Sequence, residues 1–542
     1  MKDTTRRGFL AGVGGALAGG AAVVAAPLPA AGRPSAPVGR TSVVAGRSPA
    51  TAGAVVVGPG DVRYPSLVRG ANQRFAGSPG RVVLPSDAAE VARYVGEAVS
   101  GRRRVAVRSG GHCYEDFVAN AQVKDVIDMS RMAGVSYDAD HGAYAVGAGA
   151  SLGAVYGSLF KEWGVTIPAG SCPSVGIGGF IPNGGYGPLS RRYGLTADHL
   201  YGVEAVVVDS VGDPSVVLAT RDDVGDLGDL WWAHTGGGGG SFGIATRYLF
   251  RSPDVAAQAL PQPPAEVLLR TVVWPWATLD ERTFSRLVTN FGTWHEANSS
   301  PGTPECRLFA QLKLLAVNEG VVALSVELDA SVAGAEAVLD RFVAAVSAGV
   351  GTALGAPTMR RPWHHSLQWE GFSPKNPTVM RFKIKSAYMR ASFPPEQVAA
   401  LWRRLSAPGP AHGTTLVTIA SYGGQINAVD PAETATVARD SIMKLQYIGL
   451  WEQSADDAAV IDWVRTTYAD VYAATGGVPV SDDVTDGCYI GYPDKDLNDP
   501  AWNTSGVPWH DLYFGSNYPR LQAAKRTWDP RDVFRHAQSV QR

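Results

Sequence analysis

The chain has 542 residues, 18% of them charged, and a formal net charge of −2; a chain this long exceeds what one hydrophobic core organises, so two domains are expected. Beyond the short run Arg102, Arg103, Arg104 there is no dense basic stripe, which argues against a nucleic-acid partner. Cys113, Cys172, Cys306 and Cys488 are too scattered for a disulfide framework or a zinc-ligand pair, and the adjacent His364 and His365 do not converge on one ion in regular structure, so no metal site is expected.

Residues 1–49 read as a twin-arginine export signal and linker: Arg6 and Arg7 precede a weakly apolar Gly/Ala-rich run and then small residues suited to cleavage. That run falls short of the about 20 apolar residues a membrane span needs. The reading implies secretion by a route that resembles the one taken by proteins that fold and load a cofactor before export. From Val82 the pattern becomes regular. RVVL predicts a strand, Asp87 and Glu90 are spaced like a capping box, and AAEVARYVGEAV predicts an amphipathic helix. RVAVRSGG then predicts a strand running into a glycine turn, a βαβ-like opening. VIDMS, GVSYD and AYAVGAGA predict three more strands, and SLGAVYGSLFKEWG a helix opened by Ser151 and closed near Gly164.

The stretch from Gly170 to Gly187, GSCPSVGIGGFIPNGGYG, is so rich in glycine that its backbone must turn sharply or approach something closely, and a flat ligand fits that need. A second glycine run spans Gly236 to Gly243, and the Pro-rich segment Ser252 to Glu266 is the best domain boundary. Beyond it, alternation in RTVVW, RLFAQLKLL and VVALSVEL, broken by helical stretches such as AGAEAVLDRFVAAV, predicts an antiparallel sheet with helices on one face. The division is thus 1–49 signal and linker, 50–254 first α+β domain, 255–480 second α+β domain, and 481–542 an aromatic-rich tail packing back on the first.

Gly239 to Gly243 matches G-x-S-x-G, but a nucleophile elbow needs a strand before the serine and a helix after it, whereas glycines precede Ser241 and a strand-like run follows. No glycine cluster gives a clean dinucleotide fingerprint between strand and helix. His112, directly after two glycines at a strand end, and Cys172, at the head of the second glycine-rich loop, are nucleophiles on backbone that can approach a ring. From the residues alone, a carbonyl-bonded histidine and a small buried cysteine are the more ordinary readings.

Several segments carry a family resemblance: VAVRSGGHCYEDF, PAGSCPSVGIGGFIPNGGYGPLSRRYGL, DLWWAHTGGGGGSFGIAT, SYGG, GCYIGYPDKDL and YFGSNYPRLQAAKRTWDPRDVFRHAQS. In this order the chain resembles the berberine-bridge-enzyme-like FAD-linked oxidases, and the resemblance spans most of residues 64 to 542. It implies the vanillyl-alcohol-oxidase/PCMH-type fold: an FAD-binding domain, an antiparallel-sheet substrate domain, and a C-terminal segment returning to the FAD domain. It further implies FAD bonded twice, by His112 to the 8α methyl and by Cys172 to the adjacent ring carbon.

By the same resemblance Arg108, Ser109, Gly110 and Gly111 would meet the pyrophosphate, and Gly170, Val175, Gly178, Gly179, Gly184, Gly185 and Gly187 would lie against the cofactor. Gly243, Ile244, Tyr489, Asn517 and Tyr518 would complete its surroundings. Tyr492, in CYIGYPDKDL, would face the substrate as catalytic base, although Gly491 stands where the family usually has Asn; Tyr422 and Tyr186 are further catalytic candidates. A phenol is a poor base at neutral pH, so Tyr492 needs a nearby cation or hydrogen bonds, and the sequence does not name the assistant. The chemistry implied is oxidation of an alcohol carbon of a sugar or glycosylated natural product, with electrons passing to dioxygen, as in the antibiotic-tailoring members of the group. A carbohydrate oxidase forming lactones, a dehydrogenase using another acceptor, and a binding protein without turnover are the alternatives. Trp274, Trp276, Trp363, Trp369, Phe372 and Tyr388 are open to two readings, as core residues or as rings stacking on substrate.

Overall fold

The computed structural model describes residues 53–253, 260–351, 353–373 and 380–542. The segment read as an export signal therefore lies outside the described residues, as do residues 254–259 of the Pro-rich boundary.

The βαβ opening forms as its pattern predicts. Strands Arg81–Leu84 and Arg104–Arg108 flank Val123–Asp128, all parallel, with Val55–Val57 antiparallel at the edge. The helix Ala88–Ser100 crosses between the first two, burying Val91, Tyr94, Val95 and Ala98 at helical spacing. Asp87 caps it by accepting from the Glu90 N–H at 2.8 Å, but the box is not closed: the Glu90 carboxylate instead receives the backbone N–H groups of Ser86 and Ala54. The glutamate thereby ties in the preceding edge strand.

A second sheet, antiparallel throughout, runs Val135–Asp138, Ala143–Gly147, Ile244–Phe250, Leu200–Val208, Pro214–Thr220. The helix Leu152–Trp163 starts at Ser151, whose hydroxyl accepts from Ala154 N–H, and stops at Gly164, which takes the left-handed conformation at φ 68°.

The third sheet has eight strands, the main path ordered Leu354–Gly355, Glu266–Pro275, Val321–Asp329, Leu308–Leu315, Thr414–Ser421, Met443–Trp451, Arg381–Met389, all antiparallel. Four helices, Glu281–Ala297, Ala335–Ser347, Pro395–Leu405 and Asp457–Val471, cover one face. The fit is close: a Cβ on Gly449 would lie 2.5 Å from Val460 Cγ1 and 2.9 Å from Val464 Cγ2. The opposite face of the sheet turns towards the first domain and carries the side chains described next.

The tail does two jobs. Its first stretch follows the edge strand Arg381–Met389, with Tyr388 N–H donating to Gly487 O and Asp486 N–H to Tyr388 O, both at 3.0 Å. The later helix Tyr518–Trp528 returns to the first domain and packs on the helix Gly225–Ala233, Arg520 lying 4.1 Å over the Trp232 ring. Among the described residues no helix is long and apolar enough to cross a membrane, and no cluster of His, Cys, Asp or Glu could hold a metal.

Candidate active site

The two glycine-rich turns meet at backbone distance. A Cβ on Gly110 would come within 2.3 Å of Gly176 N, and one on Gly176 within 2.1 Å of Gly110 N, so neither position admits a side chain. Ser109 pins the contact, its hydroxyl donating to Ala148 O at 2.6 Å and accepting from Gly178 N–H at 3.3 Å. Gly111, at φ 72°, turns the chain so that its carbonyl receives Ala71 N–H and His112 follows at the strand end. Arg108 is held at the base of this turn by Leu67 O at 2.5 Å and by Asp128 at 3.5 Å. The second loop is seated on the start of the helix Leu152–Trp163, whose Leu152 and Gly153 N–H groups donate to Val175 O and Pro173 O. Tyr156 adds a bond to Gly170 O at 3.1 Å.

These turns wall a cavity of about 390 Å³ that also reaches the substrate sheet and the tail. His112 and Cys172 both line it and share one neighbour: Ser174 Oγ lies 2.9 Å from His112 Nε2 and 3.5 Å from Cys172 Sγ. Burial, reinforced by the Arg108 charge, lowers the His112 pKa to about 4, so the imidazole is neutral near pH 7 and keeps a lone pair to react with. Ser174 was not legible in the sequence, where it is one small residue in a loop full of them.

Of the other sequence-predicted residues, Arg108, Ser109, Gly110, Gly111, Gly170, Val175, Gly178, Gly179, Gly187, Gly243, Ile244, Tyr186, Tyr489 and Tyr492 line the same cavity. Five stand elsewhere. Gly184 and Gly185 have left-handed backbone and pack on Thr436 and on Phe180 and Thr196. Asn517 donates its amide to Pro431 O at 2.8 Å and Thr434 O at 3.2 Å, tying the tail to a substrate-domain loop. Tyr518 stacks on His510 at 3.9 Å and accepts Gln541 N–H. Tyr422 is fully buried behind the cavity wall, its hydroxyl donating to Ala438 O at 3.1 Å. Of the six aromatic residues read two ways, Phe372 lines the cavity, edge-on to Phe309, whereas Trp274, Trp276, Trp363 and Tyr388 are buried. Trp369 packs edge-on against Phe372.

The tyrosines differ in what holds them. The Tyr186 hydroxyl donates to Ser421 O, and Tyr422 is bonded as above. Tyr492 lines the cavity with no protein partner for its hydroxyl among the described residues. Burial, with the Cys172 sulfur nearby, raises its pKa above the ordinary phenol value. Facing it is Lys444, which no sequence motif singled out: its buried Nζ has no hydrogen-bond partner among the described residues and lies 3.4, 4.3 and 4.4 Å from the ring centres of Tyr489, Tyr186 and Tyr492. Burial pushes its pKa well below the usual lysine value. The departure at Gly491 also has a local reason, since a Cβ there would come within 2.5 Å of the Tyr489 ring.

Two backbone-walled turns, a deep cavity between domains and two nucleophilic side chains meeting over one serine fit a flavin dinucleotide, and the fold and site define a flavin-dependent oxidoreductase. The comparisons agree. An FAD binding domain model matches residues 79–211, and a berberine and berberine-like model matches 488–541. The chain is 47% identical to aclacinomycin-N/aclacinomycin-A oxidase of Streptomyces galilaeus over 89% of its length and 88% of that protein's. It is 33% identical to hexose oxidase of Chondrus crispus, covering 89% of this chain and 93% of the other. The crystal structure of a glycopeptide hexose oxidase complexed with teicoplanin superposes with a TM-score of 0.87 at 44% identity, over 91% of this chain and 99% of that one. The chain belongs to the berberine-bridge-enzyme-like FAD-linked oxidases and has their vanillyl-alcohol-oxidase/PCMH-type α+β fold.

Proposed function

We propose that this enzyme oxidises a hydroxyl-bearing carbon of a sugar or glycosylated natural product to a carbonyl, reducing dioxygen to hydrogen peroxide, with FAD tethered through His112 and Cys172. The observation that carries this reading is the tyrosine with an unengaged hydroxyl, Tyr492, set against a buried lysine in the cavity that the two nucleophiles line. Similarity to an aclacinomycin oxidase, a hexose oxidase and a glycopeptide hexose oxidase supports the substrate class.

Bound FAD supplies the hydride acceptor that no amino-acid side chain offers. The chain's own residues supply the rest. Tyr492 takes the substrate hydroxyl proton at its phenolic oxygen. Burial alone opposes this, because it disfavours both a phenolate and an ammonium. Phenolate with ammonium, however, carries the same net charge as phenol with amine, and each charge in the dry pocket offsets the desolvation of the other. Lys444 is therefore the assistant that a tyrosine base requires. Phe309 and Phe372 offer ring faces and edges to a sugar, and Gln311 and Gln446, on the same sheet face, offer amides to its hydroxyls.

The test is turnover of a panel of free sugars, oligosaccharides and glycosylated aromatic compounds, with peroxide and product mass followed together. Peroxide formed in step with loss of two mass units supports the proposal. Lactone from a free sugar identifies the carbohydrate-oxidase alternative, and turnover only with an artificial electron acceptor identifies a dehydrogenase. We also propose export by the twin-arginine route, on the strength of Arg6 and Arg7 before the apolar run; replacing both by Lys is expected to leave the protein inside the producing cell.

A further inference from the structure

Six charged side chains meet beside the cavity. Lys383 Nζ lies 2.9 Å from Glu115, 2.6 Å from Asp494 and 3.2 Å from Asp496; Lys385 bonds Asp494 and lies 3.0 Å from Asp496; Arg465 closes on Asp496 at 2.6 Å. All but Arg465 are at most 5% exposed. Three cations face three anions, so the set is neutral as a whole. Its members come from four places: the turn after His112, the edge strand Arg381–Met389, the helix Asp457–Val471, and the tail. A dry cluster of this kind adds little net stability over apolar packing, and its best-attested use is to fix register.

What it registers is visible in the chain neighbours of its members. Glu115 follows Tyr114, Lys383 follows Phe382, and Asp494 lies two residues after Tyr492. Those three aromatic residues form one assembly: Tyr114 stacks on Tyr492 at 5.3 Å with rings 7° from parallel, and meets Phe382 edge-on at 5.0 Å. On a strand, neighbours point to opposite faces, so Lys383 grips the tail from one side while Phe382 supports Tyr114 from the other. We infer that the buried charge cluster centred on Lys383 is a positioning device that clamps the tail to the sheet edge and to the His112 turn, holding the Tyr492 ring over Lys444. Its kinetic consequence rests on the reading of Tyr492 as base; its structural consequence does not.

The experiment compares Lys383→Met, Lys383→Arg and the milder Glu115→Gln with the parent as purified holoenzymes, by steady-state kinetics and by amide exchange read by mass spectrometry. Misplacement of a catalytic group is expected to lower kcat of Lys383→Met at least about tenfold with KM within about twofold. Exchange in residues 488–497 is expected to accelerate while the tail helix Tyr518–Trp528 stays protected, and Lys383→Arg is expected to restore most of both. Glu115→Gln is expected to move both readouts in the same direction, which keeps the test decisive if Lys383→Met folds poorly. In a Tyr492→Phe background, Lys383→Met is expected to cost no further kcat but still to loosen 488–497. Unchanged exchange at 488–497, loosening spread evenly over the chain, or a kcat loss that adds in full to that of Tyr492→Phe would overturn the inference. If Tyr492→Phe alone retains full kcat, the base assignment fails, and the exchange data still decide the clamp.

Discussion

Lys444 and Tyr492 form a pair whose usefulness depends on being dry. The groups facing Tyr492 include Tyr114 from the His112 turn, Tyr489 from its own segment, Cys172 and Tyr186 from the second glycine loop, and Tyr388 and Lys444 from the sheet, and Lys444 is the one cation among these. Replacing Lys444 by Met removes the charge that offsets a phenolate, so the Tyr492 proton is held more tightly. The alkaline rise of kcat/KM is then expected to move to higher pH, and kcat at pH 7 to fall by about 10²-fold, the usual size of a proton-transfer contribution. A pH–rate profile superimposable on the parent's would contradict this assignment. Tyr492 was legible because the segment CYIGYPDKDL carries it. Lys444 was not, since one lysine in an apolar strand reads as a side chain directed to solvent, and only the approach of three rings from other parts of the chain makes it otherwise. Asn517 and Tyr518 show the reverse: their segment matches the family, yet their polar atoms serve the tail's own anchoring.

At the scale of elements, the two glycine turns work only as a pair. Gly176→Ala places a methyl about as close to Gly110 N as a covalent neighbour, so the loops must separate and the flavin cradle with them. The expected result is a folded protein with little flavin absorbance per chain, measured as the ratio of visible to ultraviolet absorbance. Gly157→Ala is the matching control: its Cβ meets nothing within 4 Å on the helix Leu152–Trp163, and it is expected to raise stability by up to about 1 kcal/mol with full flavin content. Pale Gly157→Ala or fully yellow Gly176→Ala would show that backbone contact between the loops is not what holds the site. Periodicity and capping made these elements legible, from the helix after Asp87 to the strand Ile244–Phe250. What remained hidden was pairing, because hydrogen bonds between strands distant in sequence leave no periodic trace. The edge position of Arg381–Met389, on which the tail lies, is of that kind.

On the scale of the whole molecule, the tail is a strap across both domains. It follows the free edge of the large sheet, carries Tyr489 and Tyr492 to the cavity, and ends against the glycine run, where the buried Lys525 bonds Ser241 O at 2.8 Å and Asp529 at 2.6 Å. Ser241, whose surroundings mimic a hydrolase elbow in sequence, accepts Val540 N–H from this strap. On the proposed function, this chassis holds its flavin covalently at two points, through His112 and Cys172. The most direct test is the intact mass of the acid-denatured chain for the parent, His112→Ala, Cys172→Ala and the double variant. One FAD is expected to stay on the parent and on each single variant and none on the double variant; a parent chain that releases its FAD on denaturation would overturn the two-point tether.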